Sequence, residues 1–285
     1  MKFPAFAYAV PHTVEEAVTL LAADEDARPL AGGQTLLPIL ALRMSMPSCL
    51  VDLRAVESLK QVSFTDNVLN VGAMVTFDQL ARTVEHRDRF PVIFAALSHV
   101  AHMAVRNRGT IGGSIAYADS AAEMPLVARA LDATMVISTS SGVRRVAAEN
   151  FFAGHFETDI QSGELLTAIE FPQSDHTWAF EEVSRRPGDF ALVMATTGLR
   201  MRAGRCESAR IALGSIADRP IRTPAAETFL LGQEITEPVA VEAANLATKD
   251  LKSHADIHAS ADYRRSVAAT LVKRALLQSA QGQEQ

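Results

Sequence analysis

The first part of the chain alternates short apolar runs with amphipathic stretches, and this pattern predicts alternating strands and helices. The runs "RPLAGG" (28–33) and "CLVDL" (49–53) predict two buried strands, the first of which ends in a glycine turn. Thr13 and Glu16 have the spacing of a capping box, so we predict that a short amphipathic helix begins in the "AVTLLAAD" region (17–24).

A hairpin and a second capped helix are predicted further along. Residues 65–67, Thr-Asp-Asn, separate two apolar runs and have the composition of a hairpin turn. Thr76 and Gln79 repeat the capping-box spacing and predict a helix in "FDQLARTVEH" (77–86). This part of the chain ends with the predicted strand "ELLTAIEFP" (164–172), because its final proline cannot donate to a sheet.

The pattern changes after the polar run "QSDHT" (173–177), which predicts a linker. Long β-rich runs come next, and helices follow them. The last helix is predicted in "SADYRRSVAATLVKRALLQSA" (260–280). We therefore expect an α+β fold with two domains, residues 1–175 and 176–285.

Composition and charge exclude several functions. The chain has 285 residues and a formal net charge of −6, with no basic block, which argues against a nucleic-acid or membrane surface. No apolar run reaches the length of a membrane span, and no signal peptide is evident, so we expect a cytoplasmic protein. Cys49 and Cys206 are the two cysteines, too few to hold an iron–sulfur cluster alone.

Two glycine pairs are the strongest candidates for chemistry. They lie about eighty residues apart, in "AGGQTLLP" (31–38) and "TIGGSIAYAD" (110–119), and neither belongs to a dinucleotide-binding or P-loop motif. Each can present consecutive free N–H groups to phosphate oxygens, and two such turns suit the two phosphates of a pyrophosphate. The alternative is that both pairs are only tight turns.

The residues around these pairs decide between the two interpretations. They resemble the FAD-binding medium subunits of the molybdenum hydroxylases, the family of xanthine dehydrogenase and carbon monoxide dehydrogenase. The resemblance covers nearly the whole chain and is carried by "AGGQTLLPILALRMSMPSCLVDLRAVESL", "AVRNRGTIGGSIAYADSAAEMPLVARALDA", "FFAGHFETDIQSGELLTAIEFP", "SRRPGDFALVMATTGL" and "DIHASADYRRSVAATLVKRALL".

The resemblance implies a fold and a set of FAD contacts. The first domain would have the two-part FAD-binding fold of the vanillyl-alcohol oxidase (PCMH) type, with lobes at about 1–57 and 58–175. The second would be a smaller α+β domain of the carbon monoxide dehydrogenase flavoprotein type. The implied FAD-binding residues are Ala31, Gly32, Gly33, Gln34, Thr35, Leu36, Thr110, Ile111, Gly112, Gly113, Ser114, Asp119, Glu123, Leu166, Asp189 and Phe190. Among these, Glu123 would face the ribityl chain and Phe190 the isoalloxazine ring.

Two positions depart from the family's pattern. Ser114 stands where Asn is more common, which keeps a hydrogen-bonding group. Glu181 stands where xanthine dehydrogenases carry a lysine near the flavin, which argues against NAD reduction of their kind. We expect no catalytic residue and no metal ligand on this chain. His99 and His102, predicted one turn apart on one helix, and His254 and His258, spaced i and i+4, are most simply surface or packed histidines.

Two classes of function remain. In the first, this chain holds non-covalent FAD and passes electrons from a small partner with two [2Fe–2S] clusters to an external acceptor. These electrons come from the substrate, an N-heteroaromatic compound or alternatively carbon monoxide, which a large molybdopterin partner oxidises, and the complex is a dimer of heterotrimers. In the second, the chain is a self-contained flavin oxidase, which would need a positioned base that the sequence does not supply. We favour the first.

Overall fold

The computed structural model describes residues 2–282, and the chain opens with a small parallel sheet of order β1-β3-β2. The elements of this lobe are β1 (Ala7–Ala9), α1 (Val14–Ala23), β2 (Arg28–Leu30), α2 (Leu36–Ala41), β3 (Cys49–Asp52) and two 3₁₀ helices (Leu53–Ala55 and Glu57–Lys60). Parallel strands need crossover connections, which α1 and α2 provide. The predicted cap of α1 is confirmed, because the Thr13 hydroxyl accepts a hydrogen bond from the Glu16 N–H at 3.1 Å.

An antiparallel sheet of order β4-β5-β10-β6-β7 forms the second lobe. Its elements are β4 (Val62–Thr65), β5 (Val68–Gly72), α3 (Phe77–Ala81), a 3₁₀ helix (Val84–His86), α4 (Pro91–His99), α5 (Met103–Arg106), α6 (Ile111–Tyr117), α7 (Glu123–Ala130), β6 (Thr134–Thr139), β7 (Gly142–Ala147), α8 (Ala148–Phe151), β8 (Phe152–Gly154), β9 (Glu157–Thr158) and β10 (Leu165–Pro172). The predicted hairpin is confirmed, with Asp66 and Asn67 both at positive φ in its turn.

The helix predicted in residues 77–86 is shorter than expected. The Thr76–Gln79 capping box is present, but α3 ends at Ala81. The Thr83 hydroxyl donates to the Leu80 carbonyl at 2.7 Å. Such local bonding competes with helix continuation, and a 3₁₀ turn follows instead.

The second domain is an antiparallel sheet of order β11-β12-β13-β14 with helices on one face. Its elements are β11 (Thr177–Ser184), β12 (Ala191–Arg202), β13 (Arg205–Gly214), β14 (Ile221–Arg222), α9 (Pro224–Leu230), α10 (Glu237–Thr248) and α11 (Ala261–Gln281). The polar run 173–176 connects it to β10. The boundary at 175/176 stays a prediction, and Met1 and residues 283–285 of the predicted domains lie outside the described residues.

The two domains pack through the other face of this second sheet. Val193 and Ala195 of β12 belong to the core beneath the C-terminal helices, whereas Met194 belongs to the core shared with α4 and α7. Successive side chains of a strand point to opposite faces, so burial of both faces explains the continuous apolar run of β12. The packing brings the start of β12 to the edge of a cavity in the first domain.

Candidate functional site

A cavity of about 560 Å³ lies between the two lobes of the first domain and the loop before β12. This volume is within the ~300–1,000 Å³ typical of small-molecule sites. Its wall contains every predicted FAD-binding residue except Ile111: Ala31, Gly32, Gly33, Gln34, Thr35, Leu36, Thr110, Gly112, Gly113, Ser114, Asp119, Glu123, Leu166, Asp189 and Phe190. Ile111 is fully buried in the core instead.

The first glycine turn joins β2 to α2 and presents free donors. Within the described part of the chain, the N–H groups of residues 32–36 donate no hydrogen bond. Gly33 has a φ of 72°, a left-handed conformation that allows the chain to turn sharply after Leu30. Consecutive N–H groups in such a turn form an anion-binding concavity, as the sequence predicts for this pair.

The second glycine pair is different, and the expectation of free N–H groups there is wrong. Gly112 and Gly113 lie in the first turn of α6. The Gly112 N–H donates to the Ala73 carbonyl at 3.0 Å, and the Gly113 N–H donates to the Thr110 hydroxyl, also at 3.0 Å. The Ser114 N–H donates to the Thr110 carbonyl at 3.1 Å. The N–H groups of Gly112, Gly113 and Ser114 are therefore already hydrogen-bonded within the protein, and the Thr110 hydroxyl, which caps α6, accepts one of these bonds.

Close backbone approach is what the second pair provides. A Cβ at Gly112 would lie 2.4 Å from the Cβ of Ala73, so only glycine allows α6 to lie this close to the segment after β5. A Cβ at Gly113 would meet the Thr110 hydroxyl at 2.9 Å and the Ala31 Cβ at 3.6 Å. Gly113 thus faces Ala31 of the first turn, and the two glycine turns lie against each other at one end of the cavity.

Two carboxyl groups lie in the cavity wall beyond α6. Asp119 accepts a hydrogen bond from the Ala121 N–H at 2.9 Å, yet burial raises its pKa above the ordinary value. Burial, helped by the Glu182 and Asp119 charges, raises the pKa of Glu123 to about 8. Glu123 is therefore largely protonated at neutral pH, so its carboxyl group can donate a hydrogen bond as well as accept one.

Glu182 lies behind this wall, between β11 and α4. Burial raises its pKa to about 7, and its Oε2 has no hydrogen-bond partner in the described part of the chain. The His99 Nδ1 is 3.8 Å from that oxygen, but burial lowers the pKa of His99, so the contact is not an ion pair at neutral pH. Burial thus raises the pKa of all three acidic side chains in this region, Asp119, Glu123 and Glu182.

The remaining wall is apolar and aromatic. Leu166 of β10 is buried, whereas Phe190 is 68% exposed at the mouth of the cavity, where its ring is available to a ligand. Tyr117 also contributes, with its ring centroid 4.8 Å from that of Phe156. Sequence reasoning missed Tyr117, although it stands inside the quoted motif "TIGGSIAYAD" at the end of α6. It also missed Arg28, which precedes the first turn.

The histidines predicted to lie one turn apart on one helix do not do so. His99 is the last residue of α4, whereas His102 directly precedes α5. Within residues 2–282, no three His, Cys, Asp or Glu side chains are close enough together to hold a metal ion. In the same part of the chain, no helix has the length and apolar character needed to cross a membrane.

Comparisons with known proteins agree with this site. The family described as FAD binding domain in molybdopterin dehydrogenase matches residues 4–174, and the CO dehydrogenase flavoprotein C-terminal domain matches residues 178–279. The chain belongs to the FAD-binding medium subunits of the molybdenum hydroxylases. The predicted family is confirmed, and with it the two-domain α+β architecture.

Several relatives of this medium subunit match it along nearly their whole length. The nicotine 6-hydroxylase medium subunit of Paenarthrobacter nicotinovorans is 35% identical, over 98% of this chain and 99% of the relative. The caffeine dehydrogenase subunit beta of Pseudomonas sp. strain CBB1 is 36% identical, over 98% and 96%. The carbon monoxide dehydrogenase medium chain of Afipia carboxidovorans is 34% identical, over 95% of both.

Among solved structures, a chain of quinoline 2-oxidoreductase from Pseudomonas putida 86 superposes with a TM-score of 0.97 at 49% identity, and 99% of each chain is covered. The medium subunit thus has the FAD-binding domain of a molybdenum oxidoreductase, and its relatives belong to multi-subunit complexes whose partner subunits carry the molybdopterin and the iron–sulfur clusters. The residues in the cavity fit FAD, because a row of free N–H groups suits its phosphates and an apolar, aromatic end suits its ring system.

Proposed function

We propose that this medium subunit binds one FAD non-covalently in the cavity and passes electrons from the [2Fe–2S] clusters of a small partner to an external acceptor. The observation that carries this proposal is the row of unpaired N–H groups at residues 32–36, which open onto a cavity of about 560 Å³. Bound FAD would supply the redox chemistry, since flavins exchange electrons with both one- and two-electron partners.

The residues of this chain bind and orient the cofactor. The N–H groups of residues 32–36 donate to phosphate oxygens, and Gly113 leaves space for them on the opposite side. The carboxyl group of Glu123, largely protonated at neutral pH, hydrogen-bonds the hydroxyl groups of the ribityl chain. Leu166 and Phe190 pack against the ring system and exclude water from one side of it.

The test of the cofactor proposal is direct. The purified chain is precipitated with acid, and the flavin in the supernatant and in the pellet is measured against the protein. We expect about one FAD per chain, all of it in the supernatant, and no oxidation of heterocycles by the isolated subunit. Flavin that remains on the precipitated protein would contradict non-covalent binding, and a chain that takes up no FAD would contradict the whole proposal.

The substrate is oxidised on the large partner, and we propose an N-heteroaromatic compound. The names of three relatives support this, since nicotine, caffeine and quinoline all contain nitrogen heterocycles. A carbon monoxide dehydrogenase medium chain at 34% identity keeps carbon monoxide as the second candidate. We further propose a cytoplasmic complex, a dimer of heterotrimers. Copurification of the partners, followed by metal analysis and assays with quinoline and carbon monoxide, distinguishes the substrates.

A further inference from the structure

Ser215 lies where the two domains meet beside the cavity, in a left-handed conformation with a φ of 57° that residues other than glycine adopt rarely. Its N–H donates to the Ser120 carbonyl at 2.7 Å, and its hydroxyl donates to the Ala191 carbonyl at 2.6 Å. Ser120 directly follows Asp119, and Ala191 directly follows Phe190. A single residue therefore joins a wall segment of the first domain to a wall segment of the second.

Arg264 of α11 holds this junction from behind. It is 2% exposed, and its guanidinium group donates to the Ser215 carbonyl at 3.1 Å and to the Leu192 carbonyl. The other end of the guanidinium group donates to Asp256 Oδ2 at 2.8 Å. A planar guanidinium group with five donors can serve several acceptors at once, which the single ammonium group of lysine cannot do in the same geometry.

Hydrogen bonds and the Arg264 charge keep the Asp256 carboxylate ionised. Its Oδ1 accepts hydrogen bonds from the N–H groups of His258 and Ala259, at 2.8 and 2.9 Å. Burial alone would raise its pKa, but these bonds and the Arg264 guanidinium hold the pKa at about 2. Asp256 itself is partly exposed, whereas the charge of Arg264 is buried; a buried charge is costly unless it is paired and hydrogen-bonded, and Asp256 provides that pairing.

The hydrogen bonds of Arg264 are not needed merely to attach α11 to the sheet. The same helix is already attached to the same strand by the hydroxyl groups of Ser279 and Thr197, which are 2.7 Å apart and do not line the cavity. By contrast, both carbonyl groups that Arg264 holds belong to the segments that carry Phe190 and contact Ser120. The guanidinium group therefore contacts two segments that are continuous with, or bonded to, the cavity wall.

We propose that Arg264, held by Asp256, is a positioning residue for the flavin: through Ser215 and Leu192 it fixes the Asp119 and Phe190 segments relative to each other across the cavity. The role in flavin positioning rests on the proposed function. The role in ordering the two segments does not, since it follows from hydrogen bonds within the chain.

The test compares Arg264→Lys and Ser215→Ala in the full chain with the control Ser279→Ala, which removes another polar contact between α11 and β12. Hydrogen exchange of residues 118–123 and 188–193 is measured without FAD. The midpoint potential and the visible circular dichroism of the flavin are measured with FAD bound. We expect exchange to become about tenfold faster in both segments of Arg264→Lys, and in residues 188–193 of Ser215→Ala, because a bond that opposes local opening is lost.

With FAD bound, the same two variants should show a displaced midpoint potential and altered flavin dichroism at full occupancy. Ser279→Ala should lower the melting temperature and change none of these signals. Exchange rates and flavin signals that stay at wild-type values in Arg264→Lys and Ser215→Ala would overturn the proposal, even if both variants melt earlier. If Arg264→Lys does not fold, Asp256→Asn takes its place, because it removes the charge that holds Arg264 and should speed exchange in both segments. A wild-type chain that binds no FAD would contradict the proposed function, and the exchange measurement would still decide whether Arg264 orders the two segments.

Discussion

Replacement of Gly113 by valine should weaken FAD binding at least about tenfold while leaving the fold in place. Gly113 lies in the first turn of α6, and a Cβ added there would meet the Thr110 hydroxyl at 2.9 Å and the Ala31 Cβ at 3.6 Å. The remaining space around that Cβ belongs to the cavity. The added side chain would therefore occupy the volume between the two glycine turns, where we place the pyrophosphate.

The expected magnitudes separate stability from binding. Valine is a better helix former than glycine by a few tenths of a kcal/mol, whereas disturbing the Thr110 cap costs about 1 kcal/mol, so the net loss of stability should stay near ~1 kcal/mol. Overlap of a side chain with a bound group costs about 1–3 kcal/mol or more. Since 1.4 kcal/mol is a factor of ten, we expect FAD affinity to fall at least about tenfold.

The neighbouring glycine gives the contrasting result. A Cβ at Gly112 would lie 2.4 Å from the Cβ of Ala73 and 2.6 Å from its Cα, so Gly112→Ala should destabilise the fold itself. Gly142→Ala serves as the control, because Gly142 has positive φ but no atom within 4 Å of its added Cβ and lies outside the cavity wall. It should lose some stability and no FAD affinity.

The assay is a fluorescence titration of each apoprotein with FAD, combined with thermal unfolding followed by circular dichroism. Wild-type FAD affinity in the Gly113→Val variant would refute our placement of the pyrophosphate between the two glycine turns. Gly113→Val that unfolds as Gly112→Ala does would refute the inference that this side of Gly113 is open space.

Three further outcomes follow from the wall of the cavity. Phe190→Ala should keep the fold and most FAD affinity, because the ring is 68% exposed, but should shift the flavin absorption bands; an unchanged spectrum would remove Phe190 from the site. Burial raises the pKa of Glu182 to about 7 from an ordinary 4.5, so wild-type stability declines as the pH rises through this interval, and Glu182→Gln should raise the melting temperature at pH 8 more than at pH 5. FAD affinity should fall as the pH rises through about 8, where Glu123 ionises near an anionic ligand, and titrations of Glu123→Gln should show a weaker dependence on pH.

The glycine pairs show how far the sequence predicts the site. Gly32 and Gly113 each belong to a glycine pair that the sequence shows directly, and the sequence analysis predicts that both lie in one binding site. The sequence cannot show which atoms fill the space that each glycine leaves. Ala73 occupies the space beside Gly112, and the Arg108 carbonyl occupies the space beside Gly32, where a Cβ would be 2.0 Å away. Both contacts depend on the folded positions of segments far apart in the chain.

The Arg264 junction has no sequence signal for a related reason. Arg264 and Ser215 act on the carbonyl groups of Leu192, Ala191 and Ser120, and every residue type carries a backbone carbonyl. A pattern of side chains therefore cannot report these bonds. The positive φ of Ser215 is equally hidden, since glycine or asparagine would be expected at such a position.

The two ends of the cavity differ in how they reduce electrostatic repulsion of an anionic cofactor. A chain with a net charge of −6 has to accept an anionic cofactor beside buried acidic side chains. At the glycine end, the N–H groups of residues 32–36, which donate no hydrogen bond within the described part of the chain, provide positive partial charge, and Arg28 lies in the same wall. At the other end, burial keeps Glu123 and Glu182 largely or partly protonated near pH 7, which reduces the negative charge facing the ligand. Protonated Glu123 can then donate a hydrogen bond that a carboxylate could only accept, so the same burial that costs stability at high pH serves binding at neutral pH.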